Sequence, residues 1–390
     1  MEGLTAFFFV AIVVLVLGFI VGRSAGSRSH SDTGPIPARD YFQGLNHLLN
    51  ERPDLAIDTF IKALPVDDET IDTHLALGTL VRRRGEVDKA IRIHQNVLER
   101  RGLTRENKVQ AELELARDYL QAGLHDRAEH LLDDLVHKVE VRQTALGHLL
   151  EIYQRERDWE RAEEIGQKLL ENDDGTIRMA LAHFLCERCD ESLTRRELSQ
   201  ARDFIERASD YQNCFRVAMT FARVEFESKN YRKALRHLRE AQTMRPELAS
   251  ETLEIFRDAC KALGAKADYM DFLERAVEDH PDVRLVDELA TLKADGEGSE
   301  SAMEFLGTQL MRHPSLSGFS RFIEEYEVAK EDIPLSDMRG VRAYTESLIS
   351  SRPKYRCQNC GFAGRLLFWQ CPSCRLWESL RLVREFDEPL

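Results

Sequence analysis

Four cysteines, Cys357, Cys360, Cys371 and Cys374, fall within eighteen residues of one another near the C-terminus of this 390-residue chain. Two C-x-x-C pairs separated by ten residues place four thiolates on two short knuckles, which can close tetrahedrally on one Zn2+ at ~2.3 Å per bond. The same four sulfurs suit a rubredoxin-like iron. A structural Zn2+ is the expectation, because nothing else in the sequence points to electron transfer. Gly361 after the first pair and Pro372 inside the second suit the tight turns that aim backbone amides at sulfur. The module, roughly Lys354 to Trp377, is too short to build a core of its own, so metal ligation must supply its folding free energy.

The other four of the eight cysteines are scattered, which is too sparse for a disulfide scaffold and fits a reducing compartment. Cys186 and Cys189, in HFLCERCDE, form another C-x-x-C without a matching pair nearby, although His183 lies one turn away; a buried structural role is expected. Cys214 and Cys260 read as small core residues.

The cysteine module also carries Tyr355, Phe362, Phe368, Trp369 and Trp377, more aromatics than so small a unit can hide, so some are expected to dock on the last helical repeats. From Arg352 to Arg384 seven basic residues stand against one acid, Glu378. Basic residues interleaved with aromatics suit single-stranded nucleic acid, but docking of this basic module onto an acidic body is the simpler reading. The whole chain has 54 Lys+Arg against 68 Asp+Glu, a net charge of −14. That balance argues against a general grip on phosphates, and no nucleic-acid partner is expected. With 43% apolar residues the chain has ample material for a folded body.

What must position the module is a helical repeat array between Tyr41 and about Pro314. Ala56, Ala90, Ala128, Ala162, Ala201 and Ala234 recur at spacings of 34, 38, 34, 39 and 33 residues, the length of a tetratricopeptide unit. Companion positions fit: Gly44, Phe60 and Ala63 in the first unit, Leu77 and Gly78 in the second, and Tyr119 and Tyr153 in the next two. Ala222, Leu238, Ala241 and the closing Pro246 belong to the sixth, and weaker units end at His280-Pro281 and His313-Pro314. Small residues at fixed points let paired helices approach closely, while Phe60, Leu98 and Phe204 fill the space between pairs. Stacked pairs of this kind form a superhelix with a protein-binding groove. The runs Arg82–Arg84 and Arg195–Arg196 are expected to be solvated helix faces or turns.

Ahead of the repeats, Leu4 to Val21 carries no charge, and eighteen helical residues reach about 27 Å, near one hydrocarbon thickness. No Lys or Arg precedes this stretch, while Arg23 and Arg28 follow it. That asymmetry argues for a retained spanning helix with the body on the cytoplasmic side. Gly22 to Ala38, rich in Gly, Ser and Pro, reads as a flexible tether. The expected fold is therefore all-α: a transmembrane anchor (1–22), a tether (23–40), a tetratricopeptide superhelix (41–350) and a rubredoxin-like zinc ribbon (351–390). No Gly-rich phosphate loop, G-x-S-x-G or H-E-x-x-H motif occurs, so no enzyme is expected.

This order of parts, with ARDYFQGLNHLLNERPDLAI and RRRGEVDKAIRIHQ in the first repeats and RPKYRCQNCGF with WQCPSC at the end, resembles the lipopolysaccharide assembly protein B family. The resemblance covers essentially the whole chain. It implies a Gram-negative inner-membrane adaptor with cytoplasmic repeats, whose metal cysteines map onto Cys357, Cys360, Cys371 and Cys374. It further implies two partners: a membrane-bound ATP-dependent zinc protease and the deacetylase that commits carbon to lipid A. Bringing them together limits lipopolysaccharide synthesis, and other lipopolysaccharide assembly proteins are implied as further partners.

Overall fold

A computed structural model describes residues 70–170, 175–329 and 352–383, with positions 59, 340, 342–343 and 345–349 beside them. The expected membrane span, the tether, the first repeat with Ala56 and Phe60, and Arg384 lie outside the described residues. Among the described residues no helix is long and apolar enough to cross a membrane. The chain divides into two compact units, Met1–Val141 and Arg142–Leu390.

In the first unit α1 (Ile71–Arg83), α2 (Val87–Leu98), α3 (Arg105–Gln121) and α4 (His125–Leu135) follow one another through short turns. In the second come α5 (Arg142–Glu156), α6 (Trp159–Leu169), α7 (Thr176–Thr194), α8 (Leu198–Tyr211), α9 (Phe215–Glu227) and α10 (Tyr231–Met244). A 3-10 turn over Pro246–Thr252 leads to α11 (Leu253–Leu263), α12 (Lys266–Asp279), α13 (Val283–Glu297), α14 (Ser299–Arg312) and α15 (Leu316–Ala329).

The repeat alanines have one structural meaning. Ala90, Ala128, Ala162, Ala201 and Ala234 are each the fourth residue of the second helix of a pair, α2, α4, α6, α8 and α10, and each is fully buried. A larger side chain there would hold the two helices apart. The turns that join the two helices within each pair are equally regular. Val81, Tyr119, Tyr153, Ser192, Glu225 and Cys260 each offer their carbonyl to the amide five residues on, which is the Schellman ending of a helix. The residue before that amide is left-handed: Gly85, Gly123 and Gly264, but also Arg157, Arg196 and Lys229. Arg196 therefore lies in an exposed turn, as its sequence suggests.

Arg82 departs from the expected solvated face. Its side chain is only 12% exposed and reaches Glu114 at 2.6 Å and Asp118 at 2.8 Å. Asp118 is fully buried and also holds His94 Nδ1 at 2.5 Å. A charge this deep is held only because carboxylates surround it. Gly78 lets α1 meet that cluster, since a Cβ there would stand 2.3 Å from His94 Nε2.

In the second unit one core runs through Leu235, Leu238, Phe256, Phe272, Leu273, Leu289 and Leu306, with Phe256 and Phe272 stacked 4.1 Å apart. Another joins α7, α8 and α9 through Leu185, Cys186, Cys189, Phe204, Ile205 and Val217. After the helices comes a three-stranded antiparallel sheet of β1 (Tyr355–Cys357), β2 (Ala363–Gly364) and β3 (Leu380–Leu382), in the order β2-β1-β3. Tyr355 is opposite both Gly364 and Leu382, and Cys357 is opposite Leu380. This small sheet belongs to the second compact unit.

Candidate metal centre

The four cysteines predicted from spacing converge. Cys357 ends β1 and Cys360 sits on the turn that follows, while Cys371 and Cys374 form the second turn before β3. The two turns are copies of one another. The Gly361 amide donates to the Cys357 carbonyl at 3.0 Å, and the Arg375 amide donates to the Cys371 carbonyl at 2.9 Å. The residue after each C-x-x-C is left-handed, with φ 76° at Gly361 and 62° at Arg375. Glycine relieves the first turn of strain; the second carries an arginine in that conformation.

Across the centre, Cys357 Sγ lies 3.6 Å from Cys374 Sγ, and Cys360 Sγ lies 3.6 Å from Cys371 Sγ. A disulfide needs about 2.05 Å, whereas a tetrahedral S4 metal with ~2.3 Å bonds sets its sulfurs about 3.8 Å apart. The donor set thus fits a single tetrahedral ion, and all four sulfurs would hold it.

Electrostatics agrees. Burial pushes the Cys357 thiol up, but the Ser379 hydroxyl, 3.2 Å away, and the amides of Cys360 and Asn359 outweigh it and bring the thiol down to about 6. The side chain of Asn359 and the amide of Leu376 hold Cys374 low. Burial instead pushes Cys371 up to about 12, with its contacts to the Cys360 and Cys357 thiols acting in the same direction against the amides of Cys374 and Ser373. Cys371 and Cys357 are buried and Cys360 is exposed, so the ion would be shielded on the repeat side and approachable from solvent at one knuckle. Ser379 and Asn359 carry no sequence signal of this role.

The ribbon does not stand apart from the helices. Tyr355, Cys357, Cys371 and Leu380 share one buried cluster with Phe215, Ala218, Ala241 and Leu248 of the repeats. Trp377 stacks on His183 with ring centroids 4.5 Å apart and meets Phe184 and Trp159 edge-on at 5.9 and 6.4 Å. Trp369 faces Phe215 at 6.0 Å and lies under the Arg216 guanidinium at 5.5 Å. The Tyr355 hydroxyl donates to Glu251, and Gln370 donates to Gln154 at 2.7 Å. Docking on the last repeats therefore needs correction: the seat runs from Gln154 on α5 past Glu251 to Asp282 before α13, which Lys354 Nζ approaches at 4.0 Å, and its aromatic part is on α6, α7 and α9. The reason is chemical. That stretch offers flat ring partners for two tryptophans, Trp159, His183 and Phe184 for Trp377 and Phe215 for Trp369, and aromatic pairs of this kind add to simple area burial. Phe368 remains outside, 37% exposed, packed edge-on against Phe362.

The scattered cysteines behave differently. Cys186 and Cys189 are fully buried in the α7–α9 core, and burial pushes Cys186 up to about 12 and raises Cys189 as well. Cys260 is buried in the larger core. These thiols are packing residues in the described structure, as their sequence suggests; Cys214 belongs to the same α7–α9 core and also lies close to Glu378 of the ribbon.

Comparison with known proteins agrees with this picture. Residues 355–381 match the model of a rubredoxin metal binding domain, and residues 73–108 and 113–176 match tetratricopeptide repeats. Lipopolysaccharide assembly protein B of Escherichia coli strain K12 is 35% identical over 377 residues, 96% of this chain and 97% of that protein. The protein of the same name from Haemophilus influenzae is 32% identical over 389 residues, 95% of this chain and 96% of its own length. A solved structure of MamA is 19% identical over 46% of this chain and 93% of its own, with a TM-score of 0.33. The end-to-end match to the two curated relatives, with a four-cysteine ribbon packed against helical repeats, makes this chain a member of the lipopolysaccharide assembly protein B family.

Proposed function

We propose that this protein is a non-enzymatic adaptor in lipopolysaccharide assembly. The apolar N-terminal stretch tethers it to the inner membrane with repeats and ribbon on the cytoplasmic side. In this reading the repeats hold the deacetylase that commits carbon to lipid A and present it to a membrane-bound ATP-dependent zinc protease, which limits lipopolysaccharide synthesis. The observation that carries the proposal is the family match over 96% of the chain. The seating of the ribbon supports it, since the metal module is packed as part of the scaffold and Cys357 and Cys371 are buried. Tethering matters physically: a client held beside a membrane protease meets it at a high effective concentration, so modest affinity suffices. The ion at Cys357, Cys360, Cys371 and Cys374 is proposed to be a structural Zn2+.

Depleting this protein should lengthen the half-life of the deacetylase severalfold in a pulse-chase experiment, and an unchanged half-life removes the regulatory part of the proposal. Metal analysis of protein prepared without added zinc checks the ion: colourless protein with stoichiometric zinc is expected, and a visible iron–thiolate absorption would point to electron transfer instead.

A further inference from the structure

Beneath the ribbon, three metal-binding side chains from distant parts of the chain come together. His183 is on α7, Cys214 precedes the first residue of α9, and Glu378 comes from the ribbon just before β3. Their donor atoms all lie within 4.8 Å of one another. The side chain of His183 is fully buried and that of Glu378 is 15% exposed, and Cys214 is 6% exposed. His183 Nε2 and Glu378 Oε1 face each other at 3.7 Å, beyond direct hydrogen-bond range, and each is buried without a hydrogen-bond partner. A tetrahedral cation holds a nitrogen and an oxygen donor, bound at ~2.0–2.2 Å, about 3.3–3.5 Å apart; the Nε2–Oε1 separation of 3.7 Å needs only a few tenths of an ångström of closure, with the Cys214 sulfur drawn in alongside.

We propose that His183, Cys214 and Glu378 form a second metal site, taking one Zn2+ and fastening the ribbon to the repeats. One imidazole, one thiolate and one carboxylate are ligands that Zn2+ accepts in tetrahedral sites. Thiolate and carboxylate together neutralise its charge, which suits a buried position. Binding would form three bonds from the protein to the metal, which keeps one of its own waters in the fourth tetrahedral position, and would release the Cys214 thiol proton to solvent. The imidazole stays neutral: its proton moves to Nδ1 as Nε2 takes the metal. Nδ1 now lies 3.3 Å from Arg216 Nη1, so the guanidinium must withdraw toward Glu187 and Asp190, which it already reaches at 2.8 and 3.5 Å. Trp377, stacked flat on the ring, keeps Nε2 aimed at the site. This site differs from the four-cysteine centre in every ligand, and it stands or falls independently of the adaptor function.

The test is zinc stoichiometry in the full-length chain, purified in detergent without a metal-binding tag, saturated with Zn2+ and freed of excess. Two zinc ions per chain are expected, falling to one in Cys214→Ser and in Glu378→Gln. Cys214 occupies the N-cap of α9 with extended backbone, a position where serine is favoured, so Cys214→Ser should keep the fold. One zinc ion in the wild-type chain, or two retained in both variants, overturns the proposal.

Discussion

The Trp377 indole lies flat on the His183 imidazole, with ring centroids 4.5 Å apart and planes inclined by 12°. The two residues are separated by nearly two hundred positions, and their contact joins a metal-binding ribbon to the middle of a repeat array. Burial holds His183 neutral, driving it well below the usual histidine range, with the nearby Arg216 acting in the same direction. Stacking of a neutral imidazole on indole therefore needs no counter-ion.

Trp377→Ala should loosen the ribbon more than it disturbs the helices. Removing an indole packed against Trp159, His183 and Phe184 is expected to cost about 3 kcal/mol. Limited proteolysis should then cut near Pro353 well before the helices, and Trp377→Phe should restore most of the protection. Equal cleavage in the wild type and Trp377→Ala would show that the stacking does not hold the ribbon.

Cys357→Ser should abolish stoichiometric metal binding at the four-cysteine centre. Because Cys357 shares a buried cluster with Phe215, Leu248 and Leu380, loss of the ion should also expose apolar surface on α9, read as increased binding of a hydrophobic dye. Chelation of the wild type should produce the same signal. Full metal content together with native protease resistance in the variant would contradict a structural centre.

Gly78→Ala should destabilise the first unit despite alanine's better helix propensity. The new methyl would stand 2.3 Å from His94 Nε2, and the ring cannot easily retreat because Asp118 holds its other nitrogen at 2.5 Å. Overpacking of this kind costs about 1–3 kcal/mol, against a propensity gain of about 1 kcal/mol. A lower thermal midpoint is expected; a raised one would mean that the helices separate freely at this point.

Acid should weaken the second unit through Glu225. Its carboxylate accepts from Arg202 Nη1 at 2.6 Å and Asn230 Nδ2 at 2.8 Å, and the Arg202 hydrogen bond is the main cause that holds it down at about 2. A carboxyl depressed in the fold stabilises the native state above its unfolded value near 4.5 and loses that contribution as pH falls toward 2. Denaturant midpoints measured across that window should decline in the wild type and decline less steeply in Glu225→Gln. Parallel profiles would remove Glu225 from the acid response.

Much of this protein can be read from residue order. The C-x-x-C pairs fix which thiols converge because a knuckle is a local structure, closed by bonds between residues four apart. The 34-residue spacing fixes Ala90, Ala128, Ala162, Ala201 and Ala234, because a repeat must present the same small residue at the same close approach. What tertiary structure alone decides depends on pairs of residues far apart in sequence. Whether Arg82 is solvated or buried depends on Glu114 and Asp118, a helix away. Where the ribbon sits depends on Trp159, His183 and Phe215 forming one aromatic seat, and no local pattern encodes that meeting. Cys214 reads in sequence as a small core residue; it becomes a donor beside His183 and Glu378 only when the ribbon folds back on the repeats. Local spacing determines which groups can do chemistry, and long-range packing determines which groups they face.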